Sequence, residues 1–314
     1  MSRKVNQVTA QAGEDQSVPP ILRHKRYDAP SLFAPENLLR EARRQKAIPA
    51  GAIPRICVLD PDGDIVRYLR ATGQASLNPH WACYHTALYD FTWDGVEFGV
   101  VGCAVGAAFA VLVAEEMFAS GCELLISVTS SGQIAAVAHP PPFFVLIDKA
   151  LRDEGASYHY LPPSDYAHLD AQLAQMLDGA LAGLAQPVYC GATWTTDAPF
   201  RETSFAVAQA QAVGIVAVEM EAAALYAFAQ ARGKPVVCFA HVTNQMGTVD
   251  NDFEKGAADG AHDALALIHA TARRWLALCY DLGMELDGAK QALQDDAMGL
   301  ADVMVDSDGA RSLS

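Results

Sequence analysis

The chain has 314 residues, 51% of them hydrophobic and 19% charged, enough to bury a large core in one domain with extensions. Its formal net charge of -15 excludes a nucleic-acid surface, which needs a basic stripe, so an anionic ligand must find a local positive site. Seven scattered cysteines without a CxxC pair read as reduced thiols, not as a disulfide framework or a zinc site.

The opening, MSRKVNQVTAQAGEDQ, has no apolar core of the kind a signal peptide carries. Residues 1–20 read as a polar, disordered tail, and the expected location is cytoplasmic. ILRHKRYDAPSLFAPENLLREARRQK then predicts a helix opened by Pro35 and closed by Arg40, Arg43, Arg44 and Lys46. Those cations suit a helix C-terminus and also a plain solvated face. Residues 21–53 are read as an N-terminal helical extension that packs on the core or on a neighbouring subunit.

The core domain is expected over 54–282. ICVLD is a strand ending in the turn PDGD, and IVRYL continues as a helix. Residues 81–101 read as a strand pair around the hairpin signal Asp94-Gly95. The uncharged run from Val100 to Ala114 is too short to span a membrane and meets Glu115 and Glu116 at once, so it reads as strand, glycine turn and helix start. Its GCAVG lacks the third glycine of a dinucleotide fingerprint. LLISVTSSG and PPFFVLIDKA are further strands, and a helix is expected over about Ala167–Leu184. VYCGATWTTDA follows as a strand, and the segment after Val249 gives a last long helix. Residues 283–314 form an acidic C-terminal tail. Alternating strands and helices imply an α/β fold.

The stretch from Gly214 to Met246 is strand, helix, strand. IVAV is β-branched, the alanine-rich segment after Glu221 has helical spacing, and Gly233 with Pro235 ends that helix before VVCFAHV. Glu219 and Glu221 stand at the first junction. On spacing alone they fit acids drawn to a helix start by its dipole, and equally a carboxylate that accepts hydrogen bonds from sugar hydroxyls.

VEMEAAALY resembles the signature of the nucleoside phosphorylase family, which includes uridine phosphorylases, hexameric purine nucleoside phosphorylases and related nucleosidases. The resemblance covers about Pro54 to Leu282. It implies a three-layer α/β/α fold with a central mixed sheet, and a homo-oligomer, dimer or hexamer, whose sites borrow residues across subunits. It implies a nucleoside phosphorylase of uridine or 6-oxopurine type, with inorganic phosphate as co-substrate and no metal or organic cofactor. By this resemblance Glu221 holds the ribose hydroxyls, Met220 packs on sugar and base, and Glu219 lies at the edge of the nucleoside site.

PDGDIVR resembles the family's phosphate loop with one extra residue before the glycine, which assigns Gly63 and Arg67 to phosphate. ISVTSSGQI occupies the place of the second phosphate turn, with Ser130 and Ser131 as its donors. An arginine usually opens that turn, and here the position is Ser127; Arg67, His85 or a partner residue would have to replace the cation. GATWTTDAPFRET resembles the loop over the base, with Asp197 in its motif place and Phe200 placed to stack on a heterocycle. The pair that reads uracil is not evident, and Arg201 is a candidate substitute. Asn244, in HVTNQM, stands where the purine enzymes and nucleosidases place an acid, and would steady the leaving base by a hydrogen bond. Two alternatives follow: a nucleosidase, favoured by Ser127 but disfavoured by Asn244 where such enzymes place an acid, and a nucleoside-binding protein without turnover.

Overall fold

A computed structural model describes residues 18–281 apart from Val249 and Asn251. The 283–314 tail and most of the 1–20 tail lie outside the described residues. Four strands open the core: β1 (Ile56–Asp60), β2 (Ala75–Leu77), β3 (Leu88–Trp93) and β4 (Val96–Gly102). Then come β5 (Leu124–Gln133), β6 (Phe143–Asp153), β7 (Tyr166–His168), β8 (Val188–Thr196), β9 (Ile215–Glu219) and β10 (Val236–Asn244). They form one mixed sheet in the order β10-β6-β8-β9-β5-β1-β4-β3-β2, with β7 on β6 and a further pairing of β10 to β5. β1, β4, β5 and β10 run parallel, as do β6, β8 and β9, whereas β5 meets β9 antiparallel. The α/β class with a mixed sheet is the one the sequence predicts.

Seven helices are described: α1 (Pro35–Lys46), α2 (Asp64–Ala71), α3 (Ala107–Ala119), α4 (Ala171–Leu177), α5 (Ser204–Ala212), α6 (Ala222–Arg232) and α7 (Ala261–Asp281). α3 packs on α6 and on α1, while α7 meets α2 and α4. Each residue of α6 from Ala222 to Phe228 is buried, which explains its richness in alanine: small side chains let helix and sheet approach closely. Tyr226, the polar exception, donates to the Ile147 carbonyl at 2.6 Å and accepts from the Cys238 N–H at 3.1 Å, so its hydroxyl ties α6 to β6 and β10. Among the described residues no helix is long and apolar enough to cross a membrane.

Three expected elements differ. The strand pair starts at Leu88, not near 81, because Trp81 is buried in a loop with its indole N–H on the Thr86 hydroxyl. The helix expected over 167–184 is only Ala171–Leu177: Tyr166–His168 pairs with β6, Asp170 caps the helix through the Gln172 and Leu173 N–H groups, and Gly179 takes a φ of 67° just beyond it. The last helix begins at Ala261, after a loop that carries Lys255.

Candidate active site

The site forms where β1, β5, β9 and β10 end. Glu219 closes β9, and Glu221 stands one residue before α6, so a short turn presents both acids. Their surroundings differ. Glu219 accepts from the Thr193 and Thr195 hydroxyls at 3.0 and 2.5 Å, and from the Glu221 and Ala222 N–H groups, both at 2.7 Å. Four donors make it the fastener of the turn; it is not presented to the site. Burial nonetheless raises its pKa, opposed by those hydrogen bonds.

Glu221 is also buried, at 1% exposure, but has two partners: the Gly106 N–H at 2.7 Å and the Thr129 hydroxyl at 3.0 Å. Burial, with the charge of Glu219 adding, pushes its pKa up to about 8. A carboxyl with unused acceptor capacity suits a ligand that brings its own hydroxyl donors. Asp62 contributes to the same upward shift, which places the β1–α2 turn electrically within the site.

That turn is built on Asp60. Its carboxylate accepts from the Gly63 and Val66 N–H groups at 3.1 and 3.0 Å, and burial lifts its pKa to about 7. Gly63 has a φ of +77°, and an added Cβ would stand 2.7 Å from the Cys103 sulfur, so both backbone sign and space demand glycine. Its N–H, assigned to phosphate by the motif, is spent on Asp60. Arg67 is largely exposed; it donates to the Asp62 carbonyl at 3.0 Å and pairs with Asp64, which also receives Lys255 at 2.5 Å.

The Ser130 N–H, the other expected phosphate donor, points at the Asp62 carboxylate at 2.7 Å. The Ser130 hydroxyl meets that of Thr243 at 3.2 Å, and the buried Ser131 hydroxyl has no partner among the described residues. Ser127 is buried within β5, between β1 and β10. Asp60, Asp62, Asp64, Ser130 and His241 surround a pit of about 20 Å³, room for one water and too small for a phosphate. Burial holds the His241 ring neutral, with a pKa lowered to about 4, and its Nε2 has no partner among the described residues. No group of three or more His, Cys, Asp or Glu among the described residues is arranged to hold a metal ion.

Asn244 is buried and its amide is engaged: Nδ2 donates to the Ser131 carbonyl at 3.3 Å, and Oδ1 accepts from the Met246 N–H at 2.9 Å. Gly132 makes that approach feasible, since a Cβ there would lie 3.3 Å from the Asn244 Oδ1. Met220 is half-buried beside Glu221. Asp197, just past β8, accepts from the Gly155 N–H at 2.8 Å, and Phe200 is 98% exposed. His85 and Arg201 are exposed. The structure therefore brings Gly63, Ser130 and Glu221 together, with Arg67 on the rim and Asp197 and Phe200 on a separate loop. Three aspartates within Asp60–Asp64 were a sequence signal for Asp62; nothing in the sequence marks Thr129 and Gly106 as partners of Glu221, or Lys255 as a partner of Asp64.

Residues 55–273 match the model of the phosphorylase superfamily, and the chain belongs to that family. Its fold is similar to that of uridine phosphorylase from Vibrio fischeri ES114, with a TM-score of 0.58 at 19% identity, covering 72% of this chain and 92% of that one. It is also similar to purine nucleoside phosphorylase from Toxoplasma gondii in complex with immucillin-H, with a TM-score of 0.59 at 14% identity, covering 71% and 92%. No curated protein matches it significantly in sequence.

Proposed function

We propose that the protein cleaves the N-glycosidic bond of a nucleoside of uracil or 6-oxopurine type, and that water rather than phosphate accepts the pentosyl group. Membership of the superfamily and the buried Glu221 support nucleoside cleavage. The observation that carries the choice of acceptor is the Asp62 carboxylate on the Ser130 N–H. An anion of the protein's own fills the place where phosphate would be bound, and Asp60 and Asp64 flank it. Bringing a phosphate dianion there means placing like charges together, which is unfavourable in a partly buried site.

In this reading Glu221 holds the ribose hydroxyls and its ionised form stabilises the oxocarbenium-like sugar as the C1′–N bond breaks and its electron pair leaves on the base. The Asp62 oxygen not used by Ser130 takes a proton from a water in the pit as that water's oxygen bonds to C1′. The proton reaches the departing base through solvent, and the products are free base and pentose. Asn244 cannot supply an acidic proton, which favours bases that leave as stable anions. The reading needs no cofactor and includes a homo-oligomer, since family sites borrow residues across subunits.

Phosphorolysis is the second reading. It is favoured by Arg67 and Lys255, two cations that converge on Asp64 beside Gly63 and would face a phosphate once Asp62 left Ser130. The test is product analysis on uridine, thymidine, inosine, guanosine, adenosine and methylthioadenosine, with and without phosphate. We expect base and free pentose without phosphate, and a loss of about 10²-fold in kcat for Asp62→Asn. Base release only with phosphate, alongside pentose 1-phosphate, would overturn the choice of water.

A further inference from the structure

Residues 18–34 lie before the stretch that matches the superfamily, yet they are fastened to the core at three points. Lys25 Nζ donates to His159 Nδ1 at 2.7 Å, and the Tyr27 hydroxyl donates to the Tyr158 carbonyl at 3.4 Å. Ile21 reaches Gly155, where an added Cβ would lie 3.3 Å from the Ile21 Cδ1 and 3.7 Å from the Asp197 Oδ2. Gly155 is thus the contact plate between the N-terminal segment on one side and Asp197 on the other.

The turn so gripped, residues 154–160, is stiff. Glu154 accepts from the Ser157 N–H at 2.9 Å. Arg152, 4% exposed, donates to the Ser157 and Ser164 hydroxyls and to the Leu161 and Pro162 carbonyls. The turn hands its position on through the Gly155 N–H, which fixes Asp197 at 2.8 Å, while Asp153 accepts from the Trp194 indole N–H at 2.9 Å. Asp197 opens the 197–203 loop directly after β8, and β8 lies parallel to β9 with Thr195 level with Glu219. The loop therefore leaves the sheet at the same edge as Glu221 and carries the exposed Phe200.

We infer that the segment Val18–Tyr27 is a strap that positions the 197–203 loop, with Ile21, Lys25 and Gly155 as positioning residues, and that through this loop it sets selectivity for the nucleobase. The base-selectivity half rests on the nucleoside reading above; the strap itself does not. A neutral His159 is part of the fastening, because Nδ1 must accept from Lys25, and burial together with that ammonium holds the imidazole below its ordinary range.

The test is the double variant Ile21→Asp/Lys25→Ala in the full chain, compared with Lys25→Arg, which retains the donor. Amide hydrogen exchange over 154–160 and 197–203 should rise about tenfold in the double variant, with the urea midpoint little changed and near-normal exchange in Lys25→Arg. KM for the best nucleoside should rise about tenfold with kcat held within about twofold, and preference among bases should narrow. Unchanged exchange over both segments would overturn the strap. Increased exchange with kcat and KM altered equally for every base would overturn the selectivity role. If the wild-type protein cleaves no nucleoside, the exchange measurement still decides the strap, so the two failures are told apart. Should the double variant fail to fold, Ile21→Ala alone carries the same exchange comparison.

Discussion

Two strand-to-helix junctions crowd acids into this site, and they treat them differently. At the β9–α6 turn, Glu219 has four hydrogen-bond donors and Glu221 two, so one carboxylate holds the backbone and the other keeps capacity for a ligand. At the β1–α2 turn Asp60 takes the holding role through Gly63 and Val66, and Asp62 reaches across to Ser130. In each junction the acid at the strand end is structural and the acid two residues later faces the site. Within each junction the acid with more donors holds the backbone and the acid with fewer keeps capacity for a ligand, even though Asp60, Glu219 and Glu221 are all buried.

The comparison breaks if the two glutamates prove interchangeable. Glu219→Ala removes an acceptor shared by two hydroxyls and two backbone N–H groups, and the orphaned buried donors should cost roughly 3–5 kcal/mol in urea unfolding. A loss under about 1 kcal/mol would deny Glu219 its fastening role. Glu221→Gln should stabilise the protein at pH 7, by up to about 1.4 kcal/mol for each pH unit above the unfolded value near 4, because the acid is mostly neutral when folded and ionised when unfolded, whereas the amide copies the neutral shape without that proton uptake. Its activity should nonetheless fall by about 10²–10³-fold, since the amide cannot become the anion that stabilises a cationic sugar. Activity close to wild type would remove Glu221 from the chemistry.

Much of the α/β order was legible because buried strands and their flanking glycines leave local marks: β1, β9 and β10 stand where ICVLD, IVAV and VVCFAHV place them. The 167–184 segment was not, since its alanine and leucine spacing continues past Leu177 while the Asp170 cap and Gly179 decide where the helix stops. In the candidate site, the strand-to-helix junction that carries Glu219 and Glu221 was readable from local sequence. That Ser130 faces Asp62 was not, because the two are 68 positions apart and only the parallel pairing of β1 with β5 brings them together. The engagement of the Asn244 amide with Ser131 is likewise a product of the β5–β10 pairing, which local sequence does not encode.

A pH slope sharpens the same contrast. Asp60 at about 7 and Glu221 at about 8 both lie above the ordinary carboxyl range, so the folded protein keeps protons that the unfolded chain has released. Their stabilising protonation is fully present below the unfolded values near 4 and is lost as pH rises through 7 and 8. Each lowers stability by about 1.4 kcal/mol per pH unit inside its window. His241 acts in the opposite sense between about 4 and its ordinary 6.5, because its folded form sheds a proton the unfolded chain keeps. Below pH 6.5 it therefore offsets one of the two carboxyls; above that it is silent. Urea unfolding of wild type and Glu221→Gln from pH 5 to 8 separates the contributions: the Glu221 term is their difference, which should widen steadily in the variant's favour, by about 1.4 kcal/mol per pH unit, until pH approaches 8. A difference that stays flat across the range would mean that Glu221 is an ordinary, already ionised carboxylate, and the distinction between the two acids of the β9–α6 turn would fall with it.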